Sequence, residues 1–153
     1  MRFEYFQMID HVASFDGVDK RLVAHAAVPG ESSILENHFP GYPILPGVLM
    51  TETMAQAAGF LMLGLLRFSK MPFLAGVKDA RFRSSVTYNA RLIVEARLVQ
   101  LKPHSAIVKT KIDGDAKNIC SAGLMFHLAF LTTSMGEAML AEARRVGLVT
   151  EAA

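Results

Sequence analysis

One segment of this sequence, residues 47 to 66, is apolar almost throughout, and it limits the folds that the chain can adopt. Only Thr51, Glu52, Thr53 and Gln56 interrupt its run of apolar and small residues. A helix that is hydrophobic on every side has to be buried on every side. We therefore predict a core helix over this segment, enclosed by other parts of the same 153-residue chain.

A transmembrane helix is the competing interpretation of the same segment. Its uninterrupted apolar part, Ala57 to Leu66, has ten residues, whereas a membrane span needs about twenty. Glu52 and Gln56 would also lie in lipid, where polar side chains are costly. We predict no membrane span, and because the N-terminal residues lack the pattern of a secretory signal, we predict a cytoplasmic protein.

The remaining sequence predicts strands. Residues 5–14 and 20–28 flank the sequence SFDGVD, whose Asp-Gly pair suits a tight hairpin turn. Residues 91–102, 105–113 and 117–131 alternate apolar and polar side chains and predict an antiparallel meander. The last of these strands should turn one face to the core, namely Cys120, Ala122, Leu124, Phe126, Leu128 and Phe130.

A helix is predicted at residues 134–147. Ser134 and Glu137 have the spacing of a capping box, and Arg144 and Arg145 suit the last turn. Gly147 would end the helix.

These elements predict an α+β protein of the hotdog type. An antiparallel sheet of five to six strands wraps around one long buried helix, a C-terminal helix follows, and residues 1–153 form a single domain. A half-wrapped sheet leaves an edge that needs cover, so we expect at least a dimer.

Glu52 and Gln56 are the candidate chemical groups on the core helix. They are four residues apart and therefore share one helix face. A carboxylic acid in apolar surroundings holds its proton more tightly than in water, which suits a proton donor. A purely structural acid, hydrogen-bonded to a loop or paired with a cation, is the alternative.

His38 and Gly47 flank a loop that proline and glycine make rigid. His38 opens the sequence HFPGYPILPG, so its imidazole is held in a fixed direction. The Gly47 amide at the start of the helix is an unpaired donor that can polarise a carbonyl oxygen. A base, an acid and such a donor suit removal of a proton beside a carbonyl with loss of a β-leaving group.

The sequence indicates neither a disulfide nor a metal. Cys120 is the single cysteine, and the five histidines show no HxH or HExxH spacing. Residues 67–117 carry eleven basic and four acidic side chains. Because the net charge of the whole chain is only +2, this segment favours an acidic protein or a phosphorylated small molecule over nucleic acid as a partner. Ordinary solvated strand faces are the alternative.

The sequence HFPGYPILPGVLMTETMAQ, residues 38–56, closely resembles the signature of the FabZ/FabA 3-hydroxyacyl-acyl carrier protein dehydratases. That resemblance implies dehydration of a (3R)-3-hydroxyacyl thioester without a cofactor, in fatty-acid synthesis. It implies His38 as the base, Glu52 as the acid, Gly47 as the carbonyl donor and Gln56 as a group that orients Glu52 or water. Glutamate in place of aspartate resembles the FabZ branch.

The resemblance also implies the partners. His38 and Glu52 would come from opposite subunits of a homodimer, and trimers of dimers are common in the family. The acyl tunnel would be lined by Phe39, Pro46, Phe60 and Leu63. The acidic acyl carrier protein would meet the basic segment, with contributions from Arg67, Lys70, Arg81 and Arg83.

Two alternatives stay open at this point. The first is another hotdog enzyme that acts on acyl thioesters, a thioesterase or an enoyl-CoA hydratase. The second is a non-catalytic subunit that binds acyl carrier protein.

Overall fold

The computed structural model describes residues 1–115 and 117–149. Residues 116 and 150–153, which the predicted domain includes, lie outside the described residues. The elements are β1 (His11–Asp16), β2 (Arg21–Ala27), α1 (Ser33–Glu36), α2 (Gly47–Leu65), β3 (Lys70–Phe82), β4 (Arg91–Lys102), β5 (Ser105–Gly114), β6 (Lys117–Phe130) and α3 (Thr133–Arg145), with a 3-10 turn at Phe3–Tyr5.

The core helix α2 is confirmed. It begins at Gly47, directly after Pro46, and packs against five strands of one antiparallel sheet. The sheet has six strands in the order β1-β2-β4-β5-β6-β3. Residues such as Met54, Ala58 and Leu61 are fully buried on α2. This is the predicted hotdog arrangement, in which the sheet encloses the helix.

Helix α2 is also long and apolar enough to cross a membrane by length and composition alone. Within the fold, 56% of the most apolar 18-residue stretch of this helix is buried. A core helix and a membrane helix both need apolar side chains on every side. Burial against the sheet therefore accounts for the apolar composition of α2.

The meander follows the predicted boundaries closely. Strand β4 covers the predicted 91–102, while β5 and β6 end within one residue of their predicted positions. Five of the six residues predicted to face the core from β6 are buried. Phe130 is the exception and is 81% exposed, because it ends the strand opposite Lys70, the first residue of the edge strand β3.

The N-terminal strand is shorter than predicted. Residues 5–10 do not join β1, because Phe6 adopts a left-handed backbone (φ 55°) and Gln7 pairs back with Arg2. Strand β1 begins only at His11. The predicted hairpin turn does follow β1, where a side-chain oxygen of Asp16 accepts hydrogen bonds from the amides of Val18 and Asp19.

Helix α3 starts earlier than predicted. Its N-cap is Thr132, whose hydroxyl accepts from the Met135 amide, so the predicted capping box of Ser134 and Glu137 is wrong. Both hydroxyl residues can cap a helix, and Thr132 is the one with extended backbone angles. Gly147 has a left-handed backbone (φ 78°) directly after the helix, as a helix stop requires.

Candidate active site

A cavity of about 480 Å³ runs along one face of α2. Glu52, Gln56, Gly59, Phe60 and Leu63 line it from the helix. At about 1.5 Å per residue, Glu52 and Leu63 are separated by roughly 16 Å along the helix axis. The other walls are formed by Tyr5, Phe6, Gln7, Met71, Pro72, Leu74, Phe126, Met139 and Glu142. The cavity is therefore an apolar channel in which Glu52 and Gln56 are the lining residues of α2 that lie nearest its N-terminus.

Gln56 holds Glu52 in place. Its Nε2 donates to Oε1 of Glu52 at 2.9 Å. The same nitrogen donates to the carbonyl of Phe6 at 2.8 Å, and Oε1 of Gln56 accepts from the amide of Met8 at 2.9 Å. Because the carbonyl of Phe6 can only accept and the amide of Met8 can only donate, the orientation of the Gln56 amide is determined.

His38 lies on the loop before α2, and the loop fixes its ring. Nδ1 is 3.1 Å from the carbonyl oxygen of Ile44, and the backbones of His38 and Ile44 also pair. A carbonyl only accepts, so Nδ1 carries the proton in this contact and Nε2 keeps its lone pair. The ring stacks on Phe39 at 4.4 Å between centroids. His38 is thus a half-buried imidazole with an available basic nitrogen.

Gly47 is the first residue of α2 and supplies an amide at the positive end of the helix dipole. The first hydrogen bonds of the helix run from Leu49 and Met50 to the carbonyl of Pro46, so the amide of Gly47 precedes them. A Cβ at Gly47 would lie 3.4 Å from the ring of Phe82. The ring of Phe82 therefore leaves little room for a side chain at position 47.

The predicted site residues fall into two groups within one subunit. Glu52, Gln56, Phe60 and Leu63 line the cavity. In the part of the chain that the structure describes, His38, Phe39, Pro46 and Gly47 are absent from that lining. Phe39 is 55% exposed and Pro46 is buried as the N-cap of the helix. The chain thus holds the Glu52 carboxyl in the channel, whereas His38 lies on a loop outside the channel lining.

The four predicted docking cations also separate. Arg81 and Arg83 line a groove of about 460 Å³, together with Lys78 and Lys109. Lys70 lies at the other end of β3. At about 3.3 Å per residue, it is roughly 36 Å from Arg81 along the strand. Arg67 is exposed three residues before it. Lys70 donates to the carbonyl of Pro103, and Arg83 donates to Asn118 and Ser121.

Cys120 and a metal centre are the other kinds of reactive site to be considered in this chain. Burial raises the pKa of the Cys120 thiol to about 11, so it is not a thiolate nucleophile near neutral pH. Among residues 1–115 and 117–149, no three His, Cys, Asp or Glu side chains are grouped so that they could hold a metal ion.

The sequence did not predict that both ends of the chain contribute to the cavity. Tyr5, Phe6 and Gln7 come from the N-terminal segment, while Met139 and Glu142 come from α3. One local pattern points to Glu142. It lies three residues before Arg145, a spacing that favours an ion pair on one helix face, and the two side chains do pair. The N-terminal contribution depends on the turn at Phe6, for which the residue type gives no signal.

Comparison with known proteins gives one family and one fold. Residues 2–123 match the FabA-like domain family. The 3-hydroxyacyl-acyl carrier protein dehydratase FabZ of Clostridium perfringens is 32% identical over 124 residues, which cover 80% of this chain and 88% of that protein.

Solved structures share the fold at low sequence identity. AziG of S. sahachiroi has a TM-score of 0.66 and 18% identity, over 84% of this chain and 96% of that one. A putative thioesterase of Ralstonia eutropha has a TM-score of 0.63 and 12% identity, over 76% of this chain and 82% of that one. At these identities the likeness extends to the fold alone.

Proposed function

Because the chain belongs to the FabA-like domain family and is a FabZ-type member of it, we propose that it dehydrates (3R)-3-hydroxyacyl-acyl carrier protein to the trans-2-enoyl thioester. The observation that carries this proposal is a carboxyl group, Glu52, fixed by Gln56 inside an apolar channel. An acyl chain fits such a channel, and a proton donor is needed at its reacting end.

The proposed reaction uses three groups of the chain. Nε2 of His38 takes a proton from C2 of the substrate, and the amide of Gly47 donates to the thioester oxygen on which charge develops. Glu52 gives its proton to the 3-hydroxyl, which leaves as water. The C2–H and C3–O bonds break and a C2–C3 double bond forms. No electrons are gained or lost overall, so the reaction as proposed requires no redox cofactor.

The proposal requires two subunits. Within one subunit His38 lies outside the channel that holds Glu52, so we assign the base of each site to the partner. The edge strand β3 supports a dimer, because it is thirteen residues long and carries four apolar side chains that are 43% to 47% exposed, namely Phe73, Leu74, Val77 and Phe82. A long apolar edge requires cover in solution. Three such dimers could assemble further, as is common in the family.

We place acyl carrier protein on the basic segment of this soluble, cytoplasmic enzyme. Arg67 and Arg81 are exposed on it, with Lys78 and Lys109 beside Arg81. Complementary charge accelerates the encounter with an acidic carrier. Arg81→Glu should raise KM for the carrier-bound substrate at low salt, and high salt should reduce the difference from wild type. Arg144→Glu, an exposed change on α3 outside the basic segment, is the control, and a salt-independent KM in Arg81→Glu would argue against docking there.

The reaction itself is tested by ultraviolet absorbance of the enoyl thioester, with 3-hydroxyacyl substrates on wild type, His38→Ala and Glu52→Gln. We expect enoyl formation by wild type and a loss of at least about 100-fold in both variants. His104→Ala, in the exposed turn before β5, should match wild type. Unchanged rates in both site variants would refute the mechanism. Release of free thiol would identify a thioesterase. Turnover of the CoA thioester alone would identify a hydratase, and binding of the carrier without turnover would identify a non-catalytic subunit.

A further inference from the structure

Helix α3 lies beyond residues 2–123, the part of the chain that matches the family. It nevertheless contributes Glu142 to the cavity that holds Glu52. We propose that Glu142 is a positioning residue for Glu52, acting through Gln7 and Gln56. The inference rests on the proposed function, in which Glu52 is the proton donor.

Glu142 is itself held by two contacts. Its Oε1 accepts from Nε2 of Gln7 at 3.0 Å, and its Oε2 accepts from Nε of Arg145 at 2.7 Å. Arg145 also donates to the carbonyl of Ile9 at 3.0 Å. Glu142 thus accepts a hydrogen bond on each carboxylate oxygen. It is a fixed acceptor that holds the side chain of Gln7.

Gln7 transmits this restraint to Gln56 through its neighbours in the chain. Phe6 accepts from Gln56 and Met8 donates to it, so the two residues that clamp the Gln56 amide flank Gln7 directly. Phe6 is in the left-handed region (φ 55°), which is unfavourable for a residue other than glycine. Such a conformation persists only where its surroundings enforce it.

The restraint on the Gln7 side chain depends on Glu142. Among the described residues, Oε1 of Gln7 is buried without a hydrogen-bond partner, and the bond from Nε2 to Glu142 is the contact that fixes the amide. On the backbone, Gln7 pairs with Arg2 at 2.8 and 3.1 Å. Loss of Glu142 would therefore release the side chain of Gln7 and loosen the clamp on Gln56.

Helix α3 has docking contacts that do not involve Glu142. Ala143 and Val146 are buried, and the carbonyl of Val146 accepts from the amide of Val12 at 2.7 Å. Removal of the Glu142 carboxylate should therefore leave the helix in place. This separates a positioning role from a merely structural one.

The test is a double-mutant cycle in kcat with Glu142→Ala and Gln56→Ala. We expect Glu142→Ala to lower kcat roughly 10-fold with KM changed less than about twofold, since a small misplacement of a reacting group slows chemistry rather than binding. In the Gln56→Ala background the same change should have no further effect. Glu142→Gln keeps an acceptor for Gln7 and should retain more activity than Glu142→Ala.

Glu137→Ala is the matched control, because Glu137 is exposed on the same helix. It should leave kcat unchanged, and thermal unfolding should show all variants folded at the assay temperature. Equal kcat for Glu142→Ala and Glu137→Ala, or independent losses in the cycle, would overturn the inference. Full activity of Glu52→Gln would instead refute the proposed function. A low kcat for Glu52→Gln together with a wild-type kcat for Glu142→Ala would refute the positioning role of Glu142 alone.

Discussion

Gln56 donates to Glu52 at 2.9 Å across one turn of α2 while the backbone of the N-terminal segment grips both ends of its amide. The two residues are therefore not an isolated helix pair. A side chain at the middle of the core helix is oriented by residues about fifty positions earlier in the chain.

Gln56→Ala should impair both stability and catalysis. It leaves the amide of Met8 and the carbonyl of Phe6 without partners, which should lower the free energy of unfolding by about 1 to 3 kcal/mol. It also frees Glu52, so we expect kcat to fall roughly 10-fold or more. Chemical denaturation and steady-state kinetics measure the two effects. Gln100→Ala, an exposed change on β4, should alter neither, and a fully active Gln56→Ala would exclude an orienting role.

Gly59→Ala should stabilise the helix and restrict the substrate. A Cβ at Gly59 would meet no atom within 4 Å, and Gly59 lines the cavity. Alanine in place of glycine inside a helix gains up to about 1 kcal/mol, while the added methyl group narrows the channel. We expect a higher Tm and a lower kcat/KM for long acyl chains than for short ones. Gly136→Ala on α3, also without close contacts, should raise Tm without changing chain-length preference.

Mixed dimers should recover activity from two inactive parents. If His38 and Glu52 of one site come from different subunits, a dimer of one His38→Ala and one Glu52→Gln subunit has one intact site. Random exchange then restores about a quarter of wild-type activity. The measurement is enoyl formation after the two variants are unfolded together and refolded. No recovery would show that both residues act within one subunit.

The ion pair of Arg21 and Glu95 should stabilise the fold above acidic pH. Nη2 of Arg21 donates to Oε2 of Glu95 at 2.6 Å, and this contact lowers the pKa of the Glu95 carboxyl below its ordinary value. A lowered pKa in the folded state adds stability above the unfolded pKa of about 4.3, and that stability is lost as pH falls through the folded pKa.

We expect Glu95→Gln to cost about 1 kcal/mol at pH 7, a modest value because the pair is partly exposed. The difference from wild type should shrink towards zero below about pH 3. Urea unfolding at several pH values measures it. Glu137→Gln is the exposed control, and a cost that does not vary with pH would assign the effect to packing.

Cys120 should resist thiol reagents in the folded protein. It is fully buried, and burial raises its pKa to about 11. A raised pKa adds stability below the unfolded value of about 8.5, and this stability is lost as pH rises towards the folded value. At pH 8 we expect Cys120 to be labelled only after denaturant is added. The labelling reaction is measured by the absorbance of the chromophore that the reagent releases. Rapid labelling of native protein would show that β6 opens locally.

The sequence predicts the parts of the fold that local patterns determine. The limits of α2 and the three strands of the meander follow from all-round hydrophobicity and from alternation, and the structure matches them within one or two residues. The start of α3 is missed because Thr132 and Ser134 offer the same capping chemistry.

The supports of the candidate site are harder to predict. The contact between Gln7 and Glu142 joins residues 135 positions apart, and no local pattern encodes such a distance. By contrast, Glu52 and Gln56 are recognisable as polar residues on one face of an apolar helix.

The hydrogen bond between Gln7 and Glu142 has a consequence for folding during synthesis on the ribosome. Gln7 leaves the ribosome 135 residues ahead of Glu142. All six strands of the sheet that surrounds α2 precede α3 in the chain, so the sheet can form before α3 is synthesised. The restraint that Glu142 places on Gln7, and through it on Gln56, therefore forms only after residue 142 has left the ribosome.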